Sequence, residues 1–456
     1  MIKNKVGWEK KMEYKKDAIR NIFNIVTAII FIEFILGGLG HIFGLPIRKG
    51  LFAIGIVFSI FMIYREKIRI EKKFLIPIFV VCIYIAYGSI IGLINGNSIG
   101  YIFSDANGFL GILYVLLLIA YIKGRSENIN KVLNIFVNCA VIVAIITIVL
   151  FFLSRIYLPN NLEIIVAYNN LNTKLQYGLI SGLVLSNNYA RVYLYNGIFM
   201  QLAVSIMFIK LFNKERNIFG IVKLAILLVG IYVSNTRGFW LGTLGVLILS
   251  FAYYLWRFKK YKLTIKNVLI AIIPLVLVAV IIPKTIVAVS PEQNLPQSTG
   301  SVKERFESIG DFENDESNKV RAIQLRFLVD KIKEKPVLGW GFGAHIYEYP
   351  QYMEENGLQS VNSSSFELYY VELIFKTGII GTLIFFGYLL YNFIKLLLLI
   401  FKKGLKENDE QILVGWTIGT MSILASSITN PYIAGLSVFF VLVMEVYLIQ
   451  LYDIKE

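Results

Sequence analysis

Three arginines and one glutamate stand where polar sequence meets apolar sequence, and their types suit the handling of an anionic, lipid-carried substrate. Arg191 and Arg237 each mark the edge of an apolar run, Arg237 within the short turn Ser234-Asn235-Thr236-Arg237-Gly238. Arg321 lies in a long polar insertion that ends at Glu367, where the chain turns apolar again. A guanidinium offers a planar fork of N–H donors that engages two phosphate oxygens at once, which a lysine ammonium does not. Snorkelling to lipid phosphate, or a local ion pair, is the alternative for Arg191 and Arg237. Arg305 and Arg326 share the insertion with acidic neighbours, and surface pairing of that kind contributes little. Glu367 has two readings. At a helix start its carboxylate would favour the unpaired N–H groups there; partly buried, it would serve as a general base.

Other groups carry less. Glu372 and Lys376 are one helical turn apart, so mutual pairing explains them. Glu33 and Glu445 lie in apolar runs with no obvious partner, the best sequence argument for a proton-coupled transporter. Tyr347, Tyr349 and Tyr352 could stack on sugar rings. The run Pro336–Gly343 (PVLGWGFG) lacks the Lys-Ser/Thr ending of a nucleotide loop and reads as a turn. Two cysteines, Cys82 and Cys139, cannot build a structural zinc site, and the only histidines, His41 and His345, are far apart in the chain. Neither a metal nor a cofactor is expected.

The elements that position these residues are set by composition. The chain has 456 residues, 57% hydrophobic and 14% aromatic, so most of its length must be solvated by lipid. Its net charge of +15 sits in short loops between apolar runs, which points to membrane topology and anionic headgroups rather than nucleic acid. Runs long enough to span a bilayer, roughly 20 residues, fall near 21–40, 46–64, 74–94, 105–122, 132–153, 193–211, 218–235, 238–256, 267–287, 367–394, 412–429 and 433–451. Every second loop is basic, so both termini are expected in the cytoplasm and the polar insertion outside. The expected fold is all-α: a polytopic integral membrane protein of about twelve transmembrane helices. Its parts are a cytoplasmic tail (1–20), a transmembrane bundle (21–283) with an outer loop at 154–192, a large extracytoplasmic loop (284–366) and C-terminal transmembrane helices (367–456). Within the large loop, Ser317 is expected to cap an amphipathic helix that runs to Lys335 and stops at Pro336. Its Arg321, Leu325, Leu328 and Ile332 share one face, suited to lie on the outer membrane surface and hold Arg321 over the bundle.

In order and topology these segments resemble the O-antigen ligase and O-antigen (Wzy-type) polymerase superfamily of membrane glycosyltransferases, most sharply from Arg191 to about Gly381. Arg321-Ala322-Ile323-Gln324-Leu325 matches the family's Arg-x3-Leu motif. Glu367-Leu368, nine residues and Gly378 keep the spacing of its His-[Asn/Ser/Gln]-x9-Gly motif, with glutamate replacing histidine and leucine the polar residue. The Pro336–Gly343 run and Asn235-Thr236-Arg237-Gly238 also look like family sequence. The resemblance implies glycan transfer from undecaprenyl diphosphate at the extracytoplasmic face of the bacterial cytoplasmic membrane, without nucleotide, metal or cofactor. It gives Arg191, Arg237 and Arg321 the diphosphate, with Arg305 a further candidate, and pairs Arg321 with Glu367 as the catalytic set, the glutamate activating the acceptor hydroxyl. In-line attack would invert the anomeric centre. The expected activity is a repeat-unit polysaccharide polymerase, making capsule or wall glycan. A ligase to another acceptor is the alternative within the class, and a lipid-linked oligosaccharide flippase the alternative outside it. Expected partners are the lipid-linked oligosaccharide, the bilayer and a chain-length regulator protein, with no nucleic acid.

Overall fold

A computed structural model describes residues 2–38, 40–123, 126–157, 170, 174, 180–186, 189–211, 218–257, 316–358, 361–402 and 405–453. Arg305, the expected span at 267–287 and the first part of the large loop lie outside these residues. In hydrocarbon the backbone has only itself to bond, so each apolar run closes into a helix. These are α1 (Ile2–Leu36), α2 (Ile47–Arg65), α3 (Lys72–Ile94), α4 (Ile99–Asn107), which continues through a 3-10 turn into α5 (Tyr114–Ile122), and α6 (Ser126–Tyr157). They continue with α7 (Ile198–Leu211), α8 (Ile218–Val233) and α9 (Arg237–Trp256). After the polar insertion come α10 (Glu316–Glu334), α11 (Glu348–Glu355), α12 (Tyr369–Lys402), α13 (Glu407–Ser426) and α14 (Leu436–Asp453).

Among the described residues, eight helical segments are long and apolar enough to cross a membrane, against the twelve expected for the whole chain. The helices at 195–211 and 218–233 are apolar but shorter, and α13 opens with Glu407, Asp409 and Glu410. The chain is a multi-pass membrane protein. Burial ranks the helices. α14 is 89% buried and forms the centre, whereas α2 is 22% buried and turns residues such as Val57 and Ile60 outward, as lipid requires. At the centre the rings of Phe31, Phe34, Tyr114, Phe136 and Phe440 pack against one another, edge-on, tilted or, for Phe136 on Phe440, stacked. Close approach of α13 to α7 depends on small residues. Gly415 and Gly419 face Ile206 and Leu202, and Ser205 Oγ donates to the Gly415 carbonyl at 2.7 Å.

Four expectations change. The outer loop at 154–192 contains an antiparallel β-hairpin, β1 (Ile180–Ser186) and β2 (Tyr189–Leu194), so the fold is helical but not purely so. Ser317 lies within α10 and not before it, because the helix already includes Glu316. The face of α10 that is buried carries Val320, Gln324 and Leu328, packed on Tyr349, Phe366 and Phe375, while Leu325 is exposed. That helix therefore docks on protein instead of lying along lipid by its predicted stripe. Finally, Glu33 is not alone: both of its carboxylate oxygens meet Arg48 Nε, at 2.9 and 3.0 Å, and Arg48 also donates to the Gly38 carbonyl. Glu445 lies beside Thr417 and Thr420, whose hydroxyls donate to Leu413 O and Trp416 O. With Glu33 paired to Arg48, its part in the sequence argument for a proton path loses its basis.

Candidate active site

The Pro336–Gly343 run is more than a turn. It threads between α3 and α12, where α12 is broken at Gly378 (φ 60°, ψ −167°). The break leaves helix carbonyls unpaired, and the run takes them up: Trp340 N donates to Phe375 O at 3.0 Å and Gly341 N to Lys376 O at 2.7 Å. The exchange is mutual, since Ile379 N donates to Pro336 O at 3.0 Å. Across the run, Phe342 N donates to Gly88 O and the Asn97 amide donates to the carbonyls of Trp340 and Phe342. Gly339, Gly341 and Gly343 all have positive φ, and a Cβ on Gly341 would stand 2.0 Å from Gly92 N. Irregular backbone inside a bundle persists only where every polar group finds a partner, and here each chain satisfies the other.

This loop locks a cluster of charges in place. Gly343 N donates to Asp105 Oδ2 at 2.6 Å. Asp105 Oδ1 accepts from Lys376 Nζ at 2.9 Å, Glu372 Oε1 accepts from the same ammonium at 2.6 Å, and Lys376 also donates to Ser364 O at 3.2 Å. Lys376 and Glu372 are buried, and Asp105 is partly open. The expected Glu372–Lys376 pair is therefore present, but it belongs to a trio. Asp105 was missed, although a carboxylate at the start of an apolar run is itself a signal. Glu372 also accepts from the Phe366 N–H, so the carboxylate that ties down the entry to α12 is Glu372. Beside the trio lies a cavity of about 310 Å³, lined also by Phe109, Tyr195, Phe342, Ser364, Ser365, Tyr369 and the segment around Gly435.

Glu367 precedes α12 by two residues, and its carboxylate meets Arg321 Nε at 2.8 Å. α10 brings the arginine there, and Gln324, one turn on, fixes the approach by accepting from Leu368 N at 3.0 Å. The side chain of Glu367 is 45% exposed and that of Arg321 21%, so the pair is open to an incoming ligand. Arg237 is the first residue of α9, half-buried. The next carbonyl, Gly238 O, accepts from Ser426 Oγ at the end of α13, and Phe239 packs on Tyr432 in the loop that lines the cavity. Arg191 lies on β2, opposite Val184, four residues before the cavity-lining Tyr195. The structure brings Arg321 and Glu367 together, and places Arg237 at the start of α9 and Arg191 in the backbone of β2. Of the three tyrosines, Tyr349 is buried in the packing under α10, while Tyr347 is exposed and stacks on His345 (centroids 5.2 Å, 5°).

His345 borders this region. Its Nδ1 is 2.8 Å from Ser363 Oγ, Tyr101 packs on its ring edge-on, and Nε2 has no hydrogen-bond partner. Burial, then the nearby Lys376 ammonium, hold the imidazole below its ordinary proton affinity, with Asp105 opposing. The folded state therefore binds this proton more weakly than the unfolded chain, and stability falls as pH drops through the ordinary imidazole value of about 6.5. Thermal unfolding followed from about pH 7.5 to about 5.5 should show a fall in midpoint that is smaller in His345→Gln. Equal falls in the two proteins would assign the acid sensitivity to other groups.

A sequence profile described as O-antigen ligase matches residues 222–386. The matched segment holds Arg237, Arg321, Glu367 and Gly378 and excludes Arg191 and Asp105. It supports membership of the O-antigen ligase and polymerase superfamily and implies a membrane glycosyltransferase-like enzyme. No curated protein matches the chain. No cluster of metal-binding side chains occurs among the described residues.

Proposed function

With residues 222–386 matching the O-antigen ligase family, we propose that the protein is a repeat-unit polysaccharide polymerase acting on undecaprenyl-diphosphate-linked glycan at the outer face of the bacterial cytoplasmic membrane. The observation that carries this reading is the Arg321–Glu367 contact, which joins a partly exposed guanidinium and carboxylate from the polar insertion and the entry to α12; Arg191 and Arg237 are further diphosphate ligands in this reading. Arg305, in the same insertion, is a further diphosphate ligand in this reading.

The steps follow from the groups. The acceptor hydroxyl oxygen attacks the anomeric carbon of the donor sugar and gives its proton to the Glu367 carboxylate. The bond from that carbon to the diphosphate oxygen breaks with its electron pair, and undecaprenyl diphosphate leaves. Negative charge grows on the departing oxygen, and arginines aimed there stabilise the transition state more than the ground state. Attack opposite the leaving group inverts the anomeric centre. In the resting protein Arg321 orients Glu367; an arriving diphosphate shares that guanidinium and leaves the carboxylate free to accept a proton.

The test is reconstitution of the purified protein with undecaprenyl-diphosphate repeat units and no nucleotide or metal, with products resolved on a gel. A ladder of lengths is the expected result. Transfer only when a separate acceptor is supplied would make the protein a ligase, and lipid crossing the bilayer without chemistry would make it a flippase. Arg321→Ala and Arg237→Ala should each slow transfer by about ten- to a hundredfold, the size of one charge-assisted contact of about 1.5–3 kcal/mol. Unchanged ladder length and yield in either variant would remove that arginine from the diphosphate site.

A further inference from the structure

We infer that the cavity beside Asp105, Glu372 and Lys376 is the acceptor site, and that it takes a neutral or amino-bearing sugar ring through that sugar's hydroxyl or ammonium donors. The inference rests on the transferase reading above and adds to it which substrate the cavity holds.

Donor and acceptor bookkeeping selects the ligand. Lys376 has three N–H donors, and all are committed, to Asp105, Glu372 and the Ser364 carbonyl. The cation thus has nothing left for an anionic ligand. Each oxygen of Asp105 takes one of its two possible hydrogen bonds, from Lys376 and from Gly343 N, and the side chain is 21% exposed. The trio therefore offers acceptors to the cavity, and its two carboxylates outnumber its one ammonium. A diphosphate would be repelled there, whereas a polyol would be bound. Ser364 and Ser365 add hydroxyls that can donate or accept.

Part of the lining is apolar. Phe109 and Phe342 stand nearly parallel, 5.9 Å apart, and both line the space. A pyranose has the same division, with hydroxyls at its rim and C–H groups on its faces. The volume of about 310 Å³ lies at the low end of the range for small-molecule sites, about 300–1,000 Å³. That suits one or two sugar rings and not a whole repeat unit, so the remainder of the glycan would lie outside. The position also fits: Ser364 and Ser365 belong to the short segment that ends in Glu367, so the proposed base and the proposed acceptor pocket share one stretch of backbone. The division of charge is then functional. The arginines outside the cavity take the anionic donor, and the acceptor-rich cavity, whose one cation is already fully engaged, takes the uncharged nucleophile.

The test is calorimetric binding to the full-length protein in nanodiscs. The probe is the host's repeat-unit oligosaccharide freed of its lipid diphosphate, with inorganic pyrophosphate as the anionic control. The oligosaccharide should bind, and Ser365→Trp, which fills the cavity from an exposed position, should weaken it tenfold or more. Asp105→Asn should weaken it by a similar factor. Wild-type affinity in both Ser365→Trp and Asp105→Asn would overturn the assignment, as would pyrophosphate binding that these two variants abolish. Because the probe carries no leaving group, the two readings fail separately. Cavity-dependent binding without glycan transfer to any acceptor would sink the transferase reading alone, and a normal ladder from Ser365→Trp would sink the acceptor site alone.

Discussion

Glu367→Gln should lower transfer by about 10²–10⁴-fold, the usual contribution of a positioned general base, while leaving the protein folded. The amide keeps the shape of the carboxylate and can still accept from Arg321, but it cannot take a proton from the acceptor. Loss of the ion pair should cost little, because Glu367 is 45% exposed and Arg321 21%, and pairs open to solvent contribute less than about 1 kcal/mol. Activity and stability therefore separate cleanly. Single-turnover transfer from the lipid-linked donor, measured beside thermal unfolding, makes the comparison. Glu367→His adds a second readout. It retains a proton acceptor, so part of the activity should survive, with a pH dependence moved toward the ordinary imidazole value of about 6.5. Full activity in Glu367→Gln would show that the carboxylate only positions Arg321.

Gly341→Ala should be the most damaging small substitution in the bundle. Its φ is +81°, and the added Cβ would stand 2.0 Å from Gly92 N and 2.2 Å from Gly92 Cα, both backbone atoms of α3. Backbone strain of about 1–3 kcal/mol and overpacking of about 1–3 kcal/mol act together, so a loss of about 2–6 kcal/mol is expected. Displacing the loop also withdraws the hydrogen bonds it lends to α12 and the Gly343 N–H that holds Asp105. Gly357→Ala is the internal comparison. Its φ is +63°, yet no atom lies within 4 Å of the added Cβ, so only the conformational cost of about 1 kcal/mol should appear. Thermal unfolding of the two variants decides the matter, and equal shifts would mean that the close approach of the loop to α3 contributes nothing to stability.

Some of this protein was legible from composition and spacing alone. Helices, their approximate places and a membrane-embedded chain follow from apolar runs of the right length, because in lipid each helix must satisfy its own backbone and needs no distant partner to do so. The pairing of Glu372 with Lys376 was equally local, fixed by one turn of helix. The glycine at 378 was visible as a motif position, but its reason was not: it is where α12 breaks and Val337 O approaches a Cβ position to 2.4 Å. What only the tertiary structure decided is which distant groups meet. Asp105 and Lys376 are 271 residues apart in sequence, and no periodicity links them. Arg321 reaches Glu367 because Val320, Gln324 and Leu328 dock α10 on the entry to α12, a face that the simple apolar stripe misjudged by including the exposed Leu325. Glu33 looked unpaired until Arg48, on the next helix, was seen to turn back to it. Local sequence fixes where the backbone closes on itself, while buried charge must find its partner across space, and only the packed bundle specifies which partner that is.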